Sequence, residues 1–180
     1  MPKDMKRISK WMSLVLRHKP ELAGLQLDEH GWVATSGLIA GLNNHGLDVD
    51  METLVQIVRD NDKQRFAFNE DYSRICANQG HSVDVMPELE QLEPPALLYH
   101  GTPDTSVAAV LATGLERRNR HHVHLSEERS TAVSVGGRRG KPIVLTIRSG
   151  DMQRDGYLFF RSRNGVWLTE HVPPGYIDQP

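Results

Sequence analysis

Apolar residues near the start of the chain recur at Ile8, Trp11, Met12, Val15 and Leu16, the i, i+3, i+4, i+7, i+8 spacing of one helix face. His18 falls on that face by the same spacing, and Pro20 ends the run. The pattern predicts a buried helix whose last turn carries Arg17 and His18. A carbonyl-rich helix end favours cations, so the pair either caps the helix or is held there to grip an anion.

Further along, Leu25–Leu27 and Gly31–Val33 are short extended candidates around an Asp28–Gly31 turn. Ser36 can cap a helix through Leu38, Ile39 and Leu42 that stops at Asn44 and Gly46. Asp50 can cap another with the stripe Leu54, Ile57, Val58. Arg65–Asn69 alternates at period two, turns at Glu70–Ser73 and returns as Arg74–Ala77. Helices followed by a β-hairpin describe a small winged-helix domain. That architecture often binds nucleic acid, although fold alone does not establish it.

Past Pro95 the pattern changes to strands. Leu97–His100 runs straight into Gly101, Thr102 and Pro103, and Gly101 allows a backbone to approach a ligand closely. Thr105 or Ser106 can cap a helix through Val107, Val110 and Leu111, closed by Gly114. The tail of 117–126 reads as a strand, Glu127–Val135 as a short helix broken by Gly136 and Gly137, and Ile143–Ile147 as a central strand. Asp155–Phe160 and Gly165–Thr169 are two more strands joined by a turn at Arg163, Asn164 and Gly165. The expected class is therefore α+β in two lobes: residues 1–82, a linker at 83–96, and a β-rich lobe at 97–180.

Charge sharpens this division. The net charge of −2 excludes a bulk polyanion binder but not a local basic site. Residues 82–96 carry four acids and no Lys or Arg, together with Pro87, Pro94 and Pro95. Residues 111–150 carry eight basic residues against three acids, a place for an anion. Arg117, Arg118, Arg138, Arg139 and Lys141 either track an RNA backbone or solvate a loop. Cys76 is the only cysteine, which excludes an intrachain disulfide and a cysteine cluster for zinc. No run approaches the ~20 apolar residues of a membrane span, and Met1 to Asp4 has no apolar signal core. A cytoplasmic protein is expected.

Candidate chemistry gathers at a few stretches. If Phe66 and Phe68 face the core, Arg65 points the other way. The stretch 78–82 is a polar loop leaving the hairpin. His121, His122 and His124 invite a metal reading, but no carboxylate partner is evident; the adjacent arginines favour an anion or nucleotide instead. There is no nucleophile elbow, no Walker loop and no Rossmann glycine fingerprint.

Six blocks in order resemble the RNA 2′-phosphotransferases, the family of the tRNA 2′-phosphotransferase of RNA splicing and its bacterial relatives. They are Ser13–His18 (L-R-H), Lys63–Phe66 (K-x-R-F), Ala77–Ser82 (A-N-Q-G-H-S), Leu98–Thr102 (L-Y-H-G-T), Arg120–Leu125 (R-x-H-[IV]-H), and Asp155–Gly156 with Ser162–Leu168 (D-G … S-x-N-G-V-x-L). They cover nearly the whole chain.

The resemblance implies a winged-helix RNA-binding lobe followed by an ADP-ribosyltransferase-like lobe that binds NAD as a consumed co-substrate, with no metal. The implied substrate is RNA with an internal 2′-phosphate. That phosphate attacks C1″ of the nicotinamide ribose and expels nicotinamide. The ADP-ribose 2″-hydroxyl then attacks phosphorus, giving 2′-hydroxyl RNA and ADP-ribose 1″,2″-cyclic phosphate. The family's catalytic quartet maps onto Arg17, His18, Arg65 and Arg120. His18 either transfers a proton or only binds phosphate. The resemblance places NAD against His100, Gly101, Thr102, His124 and Ser126. Val166 stands where related transferases often have glutamate. A phosphate nucleophile is already anionic and needs no carboxylate base.

Two other readings fit the residues less fully. One is an ADP-ribosyltransferase that leaves ADP-ribose on a nucleic-acid phosphate; the other is a noncatalytic RNA-binding protein, which need not keep a nicotinamide site. No obligate protein partner is evident.

Overall fold

The computed structural model describes residues 3–137 and 140–178. It divides into two compact units, Met1–Glu88 and Leu89–Pro180, each with its own apolar core. Both mix helices with small antiparallel sheets.

The first unit opens with α1 (Lys3–Arg17). Met12, Val15 and Leu16 are completely buried and Ile8 nearly so, as the apolar stripe requires. After a 3-10 turn (Pro20–Ala23) come β1 (Trp32–Ala34), α2 (Thr35–Asn44), α3 (Met51–Arg59), β2 (Phe66–Phe68) and β3 (Arg74–Ala77). The strands form an antiparallel sheet in the order β1-β3-β2, with Phe66 opposite Ala77 and Phe68 opposite Ile75. The α1 stripe packs in one core with Leu38 and Leu42 of α2, Leu54 and Ile57 of α3, and Phe66 and Ile75 of the sheet. Each such side chain contributes about 2 kcal/mol of burial free energy, so the position of the last turn of α1 is fixed by the core beneath it.

The second unit contains β4 (Glu90–Gln91), β5 (Leu98–Pro103), α4 (Val107–Thr113), β6 (Leu115–Glu116), β7 (Val123–Leu125), α5 (Arg129–Gly136), β8 (Pro142–Ile147), α6 (Ser149–Arg154), β9 (Phe160–Arg161), β10 (Trp167–Thr169), β11 (His171–Val172) and β12 (Ile177–Asp178). Its sheets run β4-β9-β10-β7, β12-β8-β5 and β11-β6. Reciprocal 2.8 Å hydrogen bonds between the backbones of Tyr99 and Ser126 tie β5 to the end of β7. Helix α5 lies directly on β5: a Cβ on Gly101 would stand 1.7 Å from the Ala132 carbonyl oxygen, and one on Gly136 would stand 2.9 Å from the Thr102 nitrogen. The missing side chain of Gly101 is thus taken up by a helix.

Several local expectations are corrected. Leu25–Leu27 forms no strand, although the Asp28 turn does form, with Asp28 Oδ1 accepting from the Trp32 and His30 backbones at 2.8 and 3.0 Å. Ser36 does not cap α2. That helix starts at Thr35, whose backbone N–H donates to Ser73 O and whose hydroxyl donates to Tyr72 O, so strand contacts set the start. Asp50 does cap α3, accepting from the Thr53 backbone at 2.8 Å. Neither Thr105 nor Ser106 caps α4, because Asp104–Ser106 forms a 3-10 turn that runs into it. The strand expected from Asp155 begins only at Phe160, because Asp155 and Gly156 form the turn that leaves the end of α6. Helix α5 starts at Arg129 rather than Glu127 and ends, as expected, at the glycine pair, with Gly136 its last residue and Gly137 its C-cap. His18 lies one residue past α1 and is exposed, not on the buried face.

Candidate functional site

In the first unit, Arg17 and Arg65 meet where α1 ends and β2 begins. Arg17 Nη2 donates to the Arg65 carbonyl at 3.4 Å, and its guanidinium lies 5.9 Å from the centroid of the buried Phe66 ring, within cation–π range. Arg65 Nη1 donates to Asn61 Oδ1 at 3.1 Å. Both arginines are half-buried. Arginine keeps its charge at any physiological pH, so this corner presents cations that cannot be switched off.

The loop after β3 completes it. Ser82 reaches back to α1 twice: its backbone N–H donates to the Arg17 carbonyl at 2.9 Å, and its Oγ lies 2.9 Å from His18 Nδ1. One residue therefore satisfies a helix-end carbonyl and orients the imidazole beside it. Asn78 holds the start of the hairpin, donating from its backbone to Arg65 O at 2.9 Å and from Nδ2 to Gln64 O at 2.5 Å. Asn78 and His81 are buried, and a Cβ on Gly31 would stand 3.1 Å from the His81 ring. The loop that reads in sequence as a hairpin exit is the brace of the cluster.

In the second unit, His100 on β5 donates from Nδ1 to the His124 carbonyl on β7 at 3.0 Å. A carbonyl only accepts, so Nδ1 carries the proton and the neutral ring offers Nε2 as an acceptor. Burial pushes the His100 imidazole below its ordinary value of 6.5; the His124 carbonyl opposes this, and the Arg118 and Arg120 charges push it down further. Arg120 Nη1 donates to His124 Nδ1 at 3.1 Å. A guanidinium only donates, so His124 carries no proton at Nδ1. His100, His124 and Arg120 are therefore linked in a chain with defined proton positions.

The other expected site residues sit around this chain. Thr102 is buried on β5, and Gly101 faces α5. Ser126 joins through its backbone to Tyr99. Val166 precedes β10 in a turn where its N–H donates to Ser162 Oγ at 3.1 Å and its carbonyl accepts from Ser162 N at 3.0 Å. The His122 ring lies tilted against Phe160, with centroids 5.8 Å apart, and burial lowers its pKa, helped by His121 and Arg117. Among the described residues no three His, Cys, Asp or Glu side chains are grouped to hold a metal ion. Arg117 and Arg118 are exposed, as is Lys141; Arg138 and Arg139 lie outside the described residues.

Sequence reasoning brought out the cations and missed the neutral residues that hold them. Ser82 and Asn78 lie inside a quoted motif, so the signal was there without a role. Asn61 gave no signal beyond a polar residue before a turn; only its burial marks it.

Comparison with known proteins identifies the family. Residues 3–171 match the model of the family described as "RNA 2'-phosphotransferase, Tpt1 / KptA family". A protein of Flavobacterium johnsoniae named "Probable RNA 2'-phosphotransferase" is 51% identical over 173 residues, 96% of this chain and 95% of its own. Proteins of the same name from Rhodopirellula baltica and Acaryochloris marina are 46% and 48% identical, covering 99% and 98% of this chain and 97% and 98% of their own. The family match spans nearly the whole chain, and the chain belongs to the RNA 2′-phosphotransferase family.

Proposed function

We propose that this protein is an NAD-dependent RNA 2′-phosphotransferase that removes an internal 2′-phosphate from RNA. The observation that carries the reading is the pairing of two kinds of polar cluster in a chain of this family: fixed guanidinium groups at Arg17 and Arg65, and a neutral, oriented imidazole at His100. The first suits a dianionic phosphate; the second suits a ribose hydroxyl. The first unit is read as a winged-helix RNA-binding lobe, supported by its three helices and β1-β3-β2 sheet. The second is read as an ADP-ribosyltransferase-like lobe, supported by the antiparallel strands that carry His100 and His124.

NAD would lie against His100, Gly101, Thr102, His124, Ser126 and Val166, with the His100 Nε2 acceptor taking a ribose hydroxyl. It supplies an electrophilic C1″ and a neutral leaving group, nicotinamide, which departs with the bonding pair. The attacking group is an oxygen of the RNA 2′-phosphate, which needs no base because it is already anionic. A carboxylate in place of Val166 would repel it. In the second step the ADP-ribose 2″-hydroxyl bonds to phosphorus, the bond from phosphorus to the RNA 2′-oxygen breaks, and the proton ends on that oxygen. Arg17 and Arg65 neutralise the phosphoryl oxygens as charge develops on them, and His18, set by Ser82, donates to one of them. The products are 2′-hydroxyl RNA and ADP-ribose 1″,2″-cyclic phosphate.

The test is incubation with RNA bearing one internal 2′-phosphate, with and without NAD, and without added metal. Loss of the 2′-phosphate with NAD and none without it is the expected result; dephosphorylation that ignores NAD overturns the reading.

A further inference from the structure

Gln64 stands directly before Arg65, between α3 and β2. Its φ is +40°, in the left-handed region that glycine enters freely and a residue with a Cβ enters only at a cost. Buried neighbours hold it there from both sides. Its backbone N–H donates to the Asn61 carbonyl at 2.7 Å, and its own carbonyl accepts from Asn78 Nδ2 at 2.5 Å. Asn61 and Asn78 are 4% and 7% exposed. Asn61 is tied to α1, its Nδ2 donating to Ser9 Oγ at 3.3 Å, and Asn78 donates from its backbone to the Arg65 carbonyl at 2.9 Å. The contacts that bend the chain at Gln64 therefore also set the backbone of Arg65. The Gln64 side chain is exposed, so burial gives no reason for glutamine at a position where glycine would sit without strain. A strained residue that its surroundings over-determine, beside a functional group, points to a use for its side chain.

We infer that Gln64 is a substrate-binding residue, whose carboxamide hydrogen-bonds an uncharged group, on the base or the ribose, of the nucleotide whose 2′-phosphate Arg65 holds. The inference rests on the reading of Arg65 as a phosphate ligand. Adjacent Cα atoms are about 3.8 Å apart, so a phosphate on Arg65 brings the rest of its nucleotide to the neighbouring residue. A carboxamide offers one acceptor oxygen and two N–H donors and carries no charge. It therefore matches the polar edges of a base or a sugar hydroxyl, which orient a nucleotide, whereas the arginine supplies the salt-dependent attraction to phosphate.

The experiment compares wild type, Gln64→Gly and Gln64→Ala for binding of two RNAs of one sequence, with and without an internal 2′-phosphate, over a salt series in the absence of NAD. Tm is measured alongside. Wild type is expected to prefer the phosphorylated RNA. Gln64→Gly keeps the backbone and removes the carboxamide: Tm is expected at or above the wild-type value, with affinity for the phosphorylated RNA lower by about three- to tenfold. The loss should be the same at every salt concentration, since no charge is removed, and absent for the RNA without the 2′-phosphate, which is not seated on Arg65. Gln64→Ala should lose the same affinity and be less stable than Gln64→Gly, because it keeps the strain. An RNA lacking the base at the phosphorylated nucleotide locates the partner: a loss that disappears there assigns the contact to the base, and one that persists assigns it to the ribose. Wild-type affinity in Gln64→Gly overturns the inference, as does equal loss for both RNAs or a Gln64→Ala variant more stable than Gln64→Gly. If Gln64→Gly does not fold, Gln64→Ala decides by the same comparison of the two RNAs. A wild type without preference for the phosphorylated RNA removes the phosphate-site reading itself, and the inference with it.

Discussion

The two polar clusters manage charge in opposite ways. Around Arg17 and Arg65 a carbonyl accepts from one guanidinium and a carboxamide from the other, and both groups stay cationic at physiological pH. Around His100 the same sign of charge is suppressed: the ring is buried, and two arginines discourage its protonation. A dianion needs permanent cations. A sugar hydroxyl needs an acceptor that stays neutral. On the proposed function, the contrast would let one chain prepare for a phosphate and for a nucleotide ribose using arginine, histidine and neutral oxygen atoms.

Substitutions should separate the two clusters. The largest effect is expected from Arg65→Ala, which removes the charge-assisted contact proposed for the transferring phosphate: about 30- to 1000-fold in rate, with NAD affinity retained when measured by calorimetry. Equal loss of both would erase the division. His100→Ala should weaken NAD binding by roughly ten- to hundredfold, since it removes the Nε2 acceptor and leaves the His124 carbonyl without its donor; RNA binding in a gel-shift assay should be unchanged. Ser82→Ala should slow turnover about three- to tenfold through the misplaced His18, with the backbone bond to Arg17 O intact and Tm little changed.

The smallest effect is expected from pH. The His100 pKa is lowered in the folded chain, so the unfolded chain takes up the proton more readily. Its contribution to stability is then complete above about pH 6.5 and is lost as pH falls through the lower folded-state value. NAD affinity should follow the same sense, staying flat from about pH 8 to 6.5 and declining only below. A decline centred on the ordinary histidine value would show that the His100 ring is not desolvated.

The helices of the first unit were legible because their apolar faces repeat: Ile8, Met12, Val15 and Leu16 point to one core and are buried there. The Asp50 cap was legible because its carboxylate acts on the next turn. Long-range partners were not. The start of α2 depends on Tyr72 and Ser73, more than thirty residues away. Helix α6 has a single buried apolar residue, Met152, so no stripe announces it. The role of Gly101 reversed once α5 was seen lying on it, because glycine in a sequence says that something comes close but not what. In the site, the charged residues stood out by type, whereas Asn61 and Ser82 matter through what they touch.

The most direct test of the account is the fate of the phosphate in a single turnover with 2′-phosphorylated RNA and NAD, read by mass spectrometry. The account predicts one nicotinamide per RNA dephosphorylated, transient ADP-ribosylated RNA, and all of the phosphate recovered as ADP-ribose 1″,2″-cyclic phosphate. Free inorganic phosphate without nicotinamide release, or ADP-ribose left on the RNA as the end product, would contradict it.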